Sequence, residues 1–199
     1  MRLLTTVAVI ALLAACGQQA TTTPATTEAP ATTTAPVDAN AITSNGWNTL
    51  RVGMTRAEVT AAVGAQANPN TVGGADPQAC DLFHPANAPE GMLVMIQQDV
   101  LTSITLRNNT TLRTDRGFGI GSTAAEIKTA YGPSAFSEPH KYVAGAEYIT
   151  IWTTGAPATP GAYVQDTNAR GVRYETNAQG VVTAIHAGGA SIQNVEGCS

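Results

Sequence analysis

Charge and aromatic side chains are scarce in this sequence. Only 12% of its 199 residues are Asp, Glu, Lys or Arg, and 5% are Phe, Trp or Tyr. There is no basic run, and the formal net charge is −4, so the electrostatic footprint of a nucleic-acid binder is missing. The three histidines, His84, His140 and His186, lie on separate segments without a His or carboxylate at ligand spacing, which excludes a recognisable metal motif. No Gly-x-Ser-x-Gly elbow occurs. The glycine-rich stretch 117–122 has neither the Lys of a P-loop nor the spacing of a dinucleotide fingerprint, and is expected to be a turn. Asp81, Asp115, Glu147 and Glu175 are scattered and are expected to be solvated or turn-capping acids. These absences lead to the expectation of a protein that is not an enzyme and holds no cofactor or metal.

Cysteine is equally rare, with three in the chain. The first, Cys16, closes Leu13-Ala14-Ala15-Cys16. Arg2 and the apolar run Leu3 to Leu13, too short to cross a bilayer as a helix, precede it. This stretch resembles the lipobox of bacterial lipoproteins. The resemblance implies a signal peptide over 1–15, a diacylglycerol-modified Cys16 as the first mature residue, and a membrane anchor of two or three acyl chains. In lipoproteins of Gram-negative bacteria an Asp after the cysteine commonly signals inner-membrane retention. Gly17 stands there, which implies an outer-membrane anchor facing the periplasm if the host is Gram-negative. With Cys16 assigned to lipid, Cys80 and Cys198 remain and are expected to pair in an oxidising compartment.

Residues 16–41 carry the anchor and a Thr/Ala/Pro-rich stretch, TTTPATTEAPATTTAP, too polar and too rich in Pro to build a core. They are expected to form an extended, disordered tether. The folded domain is expected over 42–199, as two repeats, 42–110 and 111–199.

The repeats are anchored by Leu50 to Gly64, LRVGMTRAEVTAAVG, which recurs as Phe118 to Gly132, FGIGSTAAEIKTAYG. Gly53 and Gly121 predict a tight turn. Thr55-x-x-Glu58 and Thr123-x-x-Glu126 are capping boxes, and Val59, Ala62, Val63 and Ile127, Ala130, Tyr131 form one apolar stripe per helix. Gly64 and Gly132 are expected to end the helices in the left-handed conformation. Strands are expected over Cys80–His84, Met92–Gln97, Val100–Arg107, Glu147–Thr153, Val172–Thr176 and Val181–His186, with strand-like sequence also at Tyr142–Val143. Loops are expected over 65–78, 134–140 and 155–161. In the third strand Val100, Thr102, Ile104 and Leu106 share one face, and Leu101, Ser103, Thr105 and Arg107 the other. The expected fold class is α+β: two tandem helix-plus-antiparallel-hairpin repeats, with helices packed on one face of the sheet and the other face partly open.

This order, and Leu50 to Val59 with the later Gly64 in particular, resembles the BamE-like (SmpA/OmlA) lipoproteins of the outer-membrane barrel-assembly machine. It also resembles the repeats of the β-lactamase inhibitory protein. Two such units stand here where a BamE-like protein has one, and no partner-contact motif of either family is matched. The resemblance implies an envelope role and leaves the partner open.

The aromatics Tyr142, Tyr148, Trp152, Tyr163 and Tyr174 fall in the second half. Tyr174 is expected in the core. Tyr148 and Trp152 share a strand face by alternation, and Arg173, Glu175 and His186 are expected to join them in a contact face for an envelope protein partner. The functional expectation is a membrane-anchored, non-catalytic binding or scaffold module of the cell envelope. A tethered enzyme inhibitor and a small-molecule or glycan binder are the alternatives.

Overall fold

A computed structural model of the protein describes residues 38–67 and 75–198, all within the unit Pro36–Ser199. The expected signal peptide, Cys16, the expected tether before residue 38, and residues 68–74 of the expected loop lie outside the described residues.

Three two-residue strands open the fold: β1 (Ile42–Thr43), β2 (Gly46–Trp47) and β3 (Leu50–Arg51) form a small antiparallel sheet in that order. Helix α1 (Arg56–Val63) follows, then β4 (Cys80–Phe83), β5 (Met92–Gln97) and β6 (Val100–Arg107). Helix α2 (Ala124–Tyr131) leads to β7 (Phe136–Pro139), β8 (Glu147–Thr154), β9 (Arg170–Thr176) and β10 (Val182–Gly188). These seven later strands make one antiparallel sheet in the order β4-β5-β6-β10-β9-β8-β7. A 3-10 turn, Ala190–Gln193, begins the C-terminal tail.

The expected fold class is overturned. Ten strands in two sheets dominate, and the molecule is not a pair of helix-plus-hairpin repeats with helices layered on a sheet. The physical reason is burial. Each helix is eight residues long and buries only two side chains, Val59 and Val63 in α1, Ala124 and Ile127 in α2. That is too little apolar surface to cover seven strands. The likeness between the two stretches is real at the turn and the cap. Both capping boxes close: Glu58 Oε2 accepts from Thr55 N at 2.7 Å and Glu126 Oε2 from Thr123 N at 2.8 Å. Gly53 N donates to Leu101 O, and Gly121 N to Val182 O, so each turn docks on the start of a hairpin arm. Gly64 and Gly132 have positive φ (84° and 54°), but ψ of 164° and −132° places neither in the left-handed helical basin.

The β5–β6 hairpin forms with its predicted bounds, turning at Gln98 and Asp99 with φ of 49° and 65°. These are the values of a type I′ turn, whose twist matches that of paired strands. The predicted face of β6 is corrected by a bulge. Met95 pairs Ser103 while Ile96 pairs Leu101, so Thr102 is the extra residue. Leu101, Ile104 and Leu106 therefore enter the core, whereas Val100 and Thr102 stay partly exposed. The expected loop over 134–140 contains β7, and Tyr142–Val143 form no strand.

One continuous core joins Val59, Val63 and Ile127 to Ile104, Leu106, Ile149, Tyr174 and Ile185. Tyr174 is fully buried, as the sequence predicts, with its hydroxyl donating to Thr114 Oγ1 at 3.1 Å. The opposite sheet face carries the site described next.

Candidate functional site

Strand alternation puts Tyr148, Thr150 and Trp152 on one side of β8. The register sets Tyr148 opposite Glu175, Thr150 opposite Arg173, and Arg173 opposite His186. Tyr148, Trp152, Arg173, Glu175 and His186 therefore share one sheet face, the face away from Tyr174 and Ile185. It is not the open face that the sequence suggested. Tyr148 and Arg173 are each only 3% exposed, because two other segments cover them.

The first cover is the tail. Arg173 Nη1 donates to Ile192 O at 3.3 Å. Gln193 brackets Val164, accepting from its N–H at 2.9 Å and donating to its carbonyl at 3.0 Å. Tyr163 OH donates to Asn194 Oδ1, and Cys198 is joined to Cys80 on β4, 118 residues away in sequence. The expected disulfide is thus present and ties the tail to the far edge strand. The second cover is the chain after β7. His140 stacks on Tyr148 with ring centroids 4.5 Å apart, and Lys141 Nζ and Tyr142 OH both donate to Glu196 of the tail.

Under these covers Glu175 is the hub. Its Oε2 accepts from Arg107 Nη2 at 2.9 Å and lies 3.3 Å from His186 Nε2. Its Oε1 lies 3.3 Å from His140 Nε2. An ionised carboxylate only accepts, so both Nε2 atoms that face it carry the proton, and the other nitrogens are compatible with this. His140 Nδ1 accepts from the amides of Tyr142 and Val143, and Thr105 Oγ1 stands 3.0 Å from His186 Nδ1. Each ring therefore directs an Nε2–H at the carboxylate. Burial alone would raise the Glu175 pKa, but the His186 hydrogen bond, the charges of Arg107 and His186 and the His140 hydrogen bond outweigh it and hold it at about 2. Burial pushes the His186 imidazole below its ordinary value despite the hydrogen bond and charge of Glu175. Next to the hub, Arg173 lies 3.9 Å over the Tyr148 ring and donates to Glu138 Oε1 at 2.7 Å. Arg173 Nε is buried without a partner.

Thr105, His186 and Glu175 stand in the order hydroxyl, imidazole, carboxylate, the order of a nucleophilic triad. Two features set this line apart from such a triad. Thr105 is only 6% exposed, and Glu175 is held by Arg107 and His140 as well as by His186. The arrangement is suited to fixing the sheet face and its covers. Two other acids expected to be solvated are also paired: Asp81 with Arg56 at 2.7 Å and Glu147 with Lys128 at 2.6 Å. Among the described residues no group of three or more His, Cys, Asp or Glu could hold a metal.

Trp152 stands apart from the hub. Half-buried, it lines a cavity of about 240 Å³ with Phe136, Pro133, Pro157, Pro160 and Glu138. Gln193 of the tail forms part of the same wall. Sequence reasoning missed Glu138, Phe136 and His140 because they lie in a segment read as loop. Thr105 and Arg107 had been placed together on one face of β6, but their neighbours across β10 could not be known without the pairing of distant strands.

Comparison with protein-family models, curated proteins and solved structures finds no match to this chain.

Proposed function

We propose that the protein is a lipid-anchored lipoprotein of the cell envelope whose folded part is a non-catalytic protein-binding module, and that a partner inserts one side chain into the Trp152 cavity. The single observation that carries this is the cavity: ring and proline walls, with the Glu138 carboxylate held in place by Arg173. Its volume, about 240 Å³, is below the ~300–1,000 Å³ typical of drug-sized ligands. It suits one side chain of a larger partner, its apolar part against the rings and prolines, and an aromatic-lined pocket is where binding hot spots concentrate. Size therefore favours a protein over a small molecule or glycan. A tethered inhibitor belongs to the same class, since it too would bind by this surface. The lipobox-like Leu13-Ala14-Ala15-Cys16 supports the anchor.

The test is capture from intact envelopes by a photo-crosslinking residue at Pro157, on the cavity wall. Trp152→Ala removes the main ring, and losing such an anchor costs about 2 kcal/mol or more of binding, about thirtyfold in affinity. Ala156→Arg obstructs the cavity from an exposed position without touching the core. Both are expected to lose one specific crosslinked band while the circular dichroism spectrum is unchanged. Two folded variants that capture the same protein in the same amount would refute the site. In parallel, Cys16→Ala is expected to abolish labelling by a clickable fatty acid, and labelling that survives would refute the anchor.

A further inference from the structure

A second cavity, of about 290 Å³, lies on the other side of the Ala190–Gln193 turn. Gln193 lines the Trp152 cavity, whereas Gly189, Ala190 and Ser191 line this one. Its walls come from separate parts of the chain: the Val52–Gly53 turn before α1, the start of β6, the segment leading into β9, and the chain after β10. Backbone bonds fasten them together. Gly53 N donates to Leu101 O at 2.8 Å, and Gly189 N donates to Thr102 O at 2.9 Å. The cavity is therefore built by the fold and does not wait for a ligand to shape it.

Two side chains give it a chemical preference. Ser191 is 9% exposed and its hydroxyl has no hydrogen-bond partner, an arrangement that folded proteins ordinarily avoid. Arg170 is anchored through Nη1, which donates to Thr167 O at 3.0 Å and to Ala169 O at 2.7 Å. Both hydrogens of Nη1 are thereby used. The Nε–Nη2 edge, with its two parallel N–H groups, donates to no described residue. That edge matches the two oxygens of a carboxylate. No Asp or Glu lines the cavity to compete for the guanidinium, and no second cation is present to balance a phosphate dianion. Val52, Val100, Leu101 and Ala190 supply an apolar wall for a short carbon chain.

We infer that this cavity binds a carboxylate borne on a short apolar unit, with the free edge of Arg170 and the Ser191 hydroxyl as its donors. A small carboxylic acid and the C-terminal end of a peptide share this chemistry. The inference is independent of the Trp152 cavity and stands or falls without it.

Isothermal titration of the full chain, disulfide intact, with N-acetylalanine, N-acetylalaninamide, acetate and inorganic phosphate decides the question. N-acetylalanine is expected to bind saturably, and the amide, which lacks the anion, at least about tenfold more weakly. Acetate binding as well as N-acetylalanine identifies a small-acid site, and tighter N-acetylalanine identifies a chain-end site. Arg170→Gln is expected to weaken binding about tenfold or more, and Arg170→Lys not to restore it, because a point charge cannot replace the fork. Ser191→Ala deletes a single buried oxygen that bonds nothing in the fold. It therefore keeps the protein folded and tests the site alone if the Arg170 variants do not fold. The inference is overturned by no saturable binding of either carboxylate below about 10 mM, by equal binding of the amide, by phosphate binding tighter than both carboxylates, or by a folded Ser191→Ala that binds as the wild type does.

Discussion

Replacing Glu175 with Gln removes the hub of the covered polar cluster, and the consequence can be worked out from its contacts. The carboxyl titrates at about 2 in the fold against an ordinary value of 4.5. Each tenfold change in proton affinity is worth about 1.4 kcal/mol, so the folded environment favours the anion by about 3 kcal/mol. Arg107 is 45% exposed, so solvent screens part of this, and about 2 kcal/mol is the working figure. The sign follows from the direction of the shift. The folded value lies below the unfolded one, so the stabilisation is complete above pH ~4.5 and is lost as the pH falls toward ~2. Glu175→Gln has no titration in this window, and its amide group also opposes one of the two imidazole N–H donors. At pH 7 the variant is expected to be less stable by about 2 kcal/mol, a fall in Tm of about 4–8 °C for a domain of this size. Urea unfolding of both proteins from pH 7 down to pH 2 should show the gap closing across the acid range. A variant within about 0.5 kcal/mol of wild type at pH 7, or a gap that keeps its full size at pH 2, would refute the reasoning.

Two further predictions concern the covers and the caps. Cys198→Ser frees the tail from β4 and opens a loop spanning 118 residues. It is expected to cost about 4–5 kcal/mol in the chain-entropy model, with reductant destabilising the wild type by a similar amount and leaving the variant unchanged. Thr55→Ala and Thr123→Ala each delete one half of a closed capping box and are expected to cost about 1 kcal/mol apiece. The two caps share no partner, so the double variant should sum them to within about 0.5 kcal/mol in urea denaturation.

The sequence by itself determined what depends on near neighbours along the chain. Thr55-x-x-Glu58 and Thr123-x-x-Glu126 contain donor and acceptor within one helical turn, so both boxes could be located before any coordinates. The β5–β6 hairpin was equally legible, because its two alternating arms are separated by Gln98 and Asp99 alone. Counting cysteines sufficed for Cys80–Cys198. Alternation also placed Tyr148 with Trp152, and Arg173 with Glu175, because a period of two is a local property. Tertiary structure decided everything that required knowing which distant strand lies alongside. Pairing β6 with β10 fused the two halves into one sheet and set Thr105 opposite His186. The bulge at Thr102 reversed the predicted face at the start of β6, a one-residue slip that alternation cannot register. The short helices, with two buried side chains each, could not form a layer, and so the fold class differs from the expected one. The face expected to be open became a floor, because the tail returns across it and is held by Gln193, Arg173 and the disulfide. A strand pattern records which side chains share a side, but not what later covers that side, since the covering contacts join residues far apart in the chain.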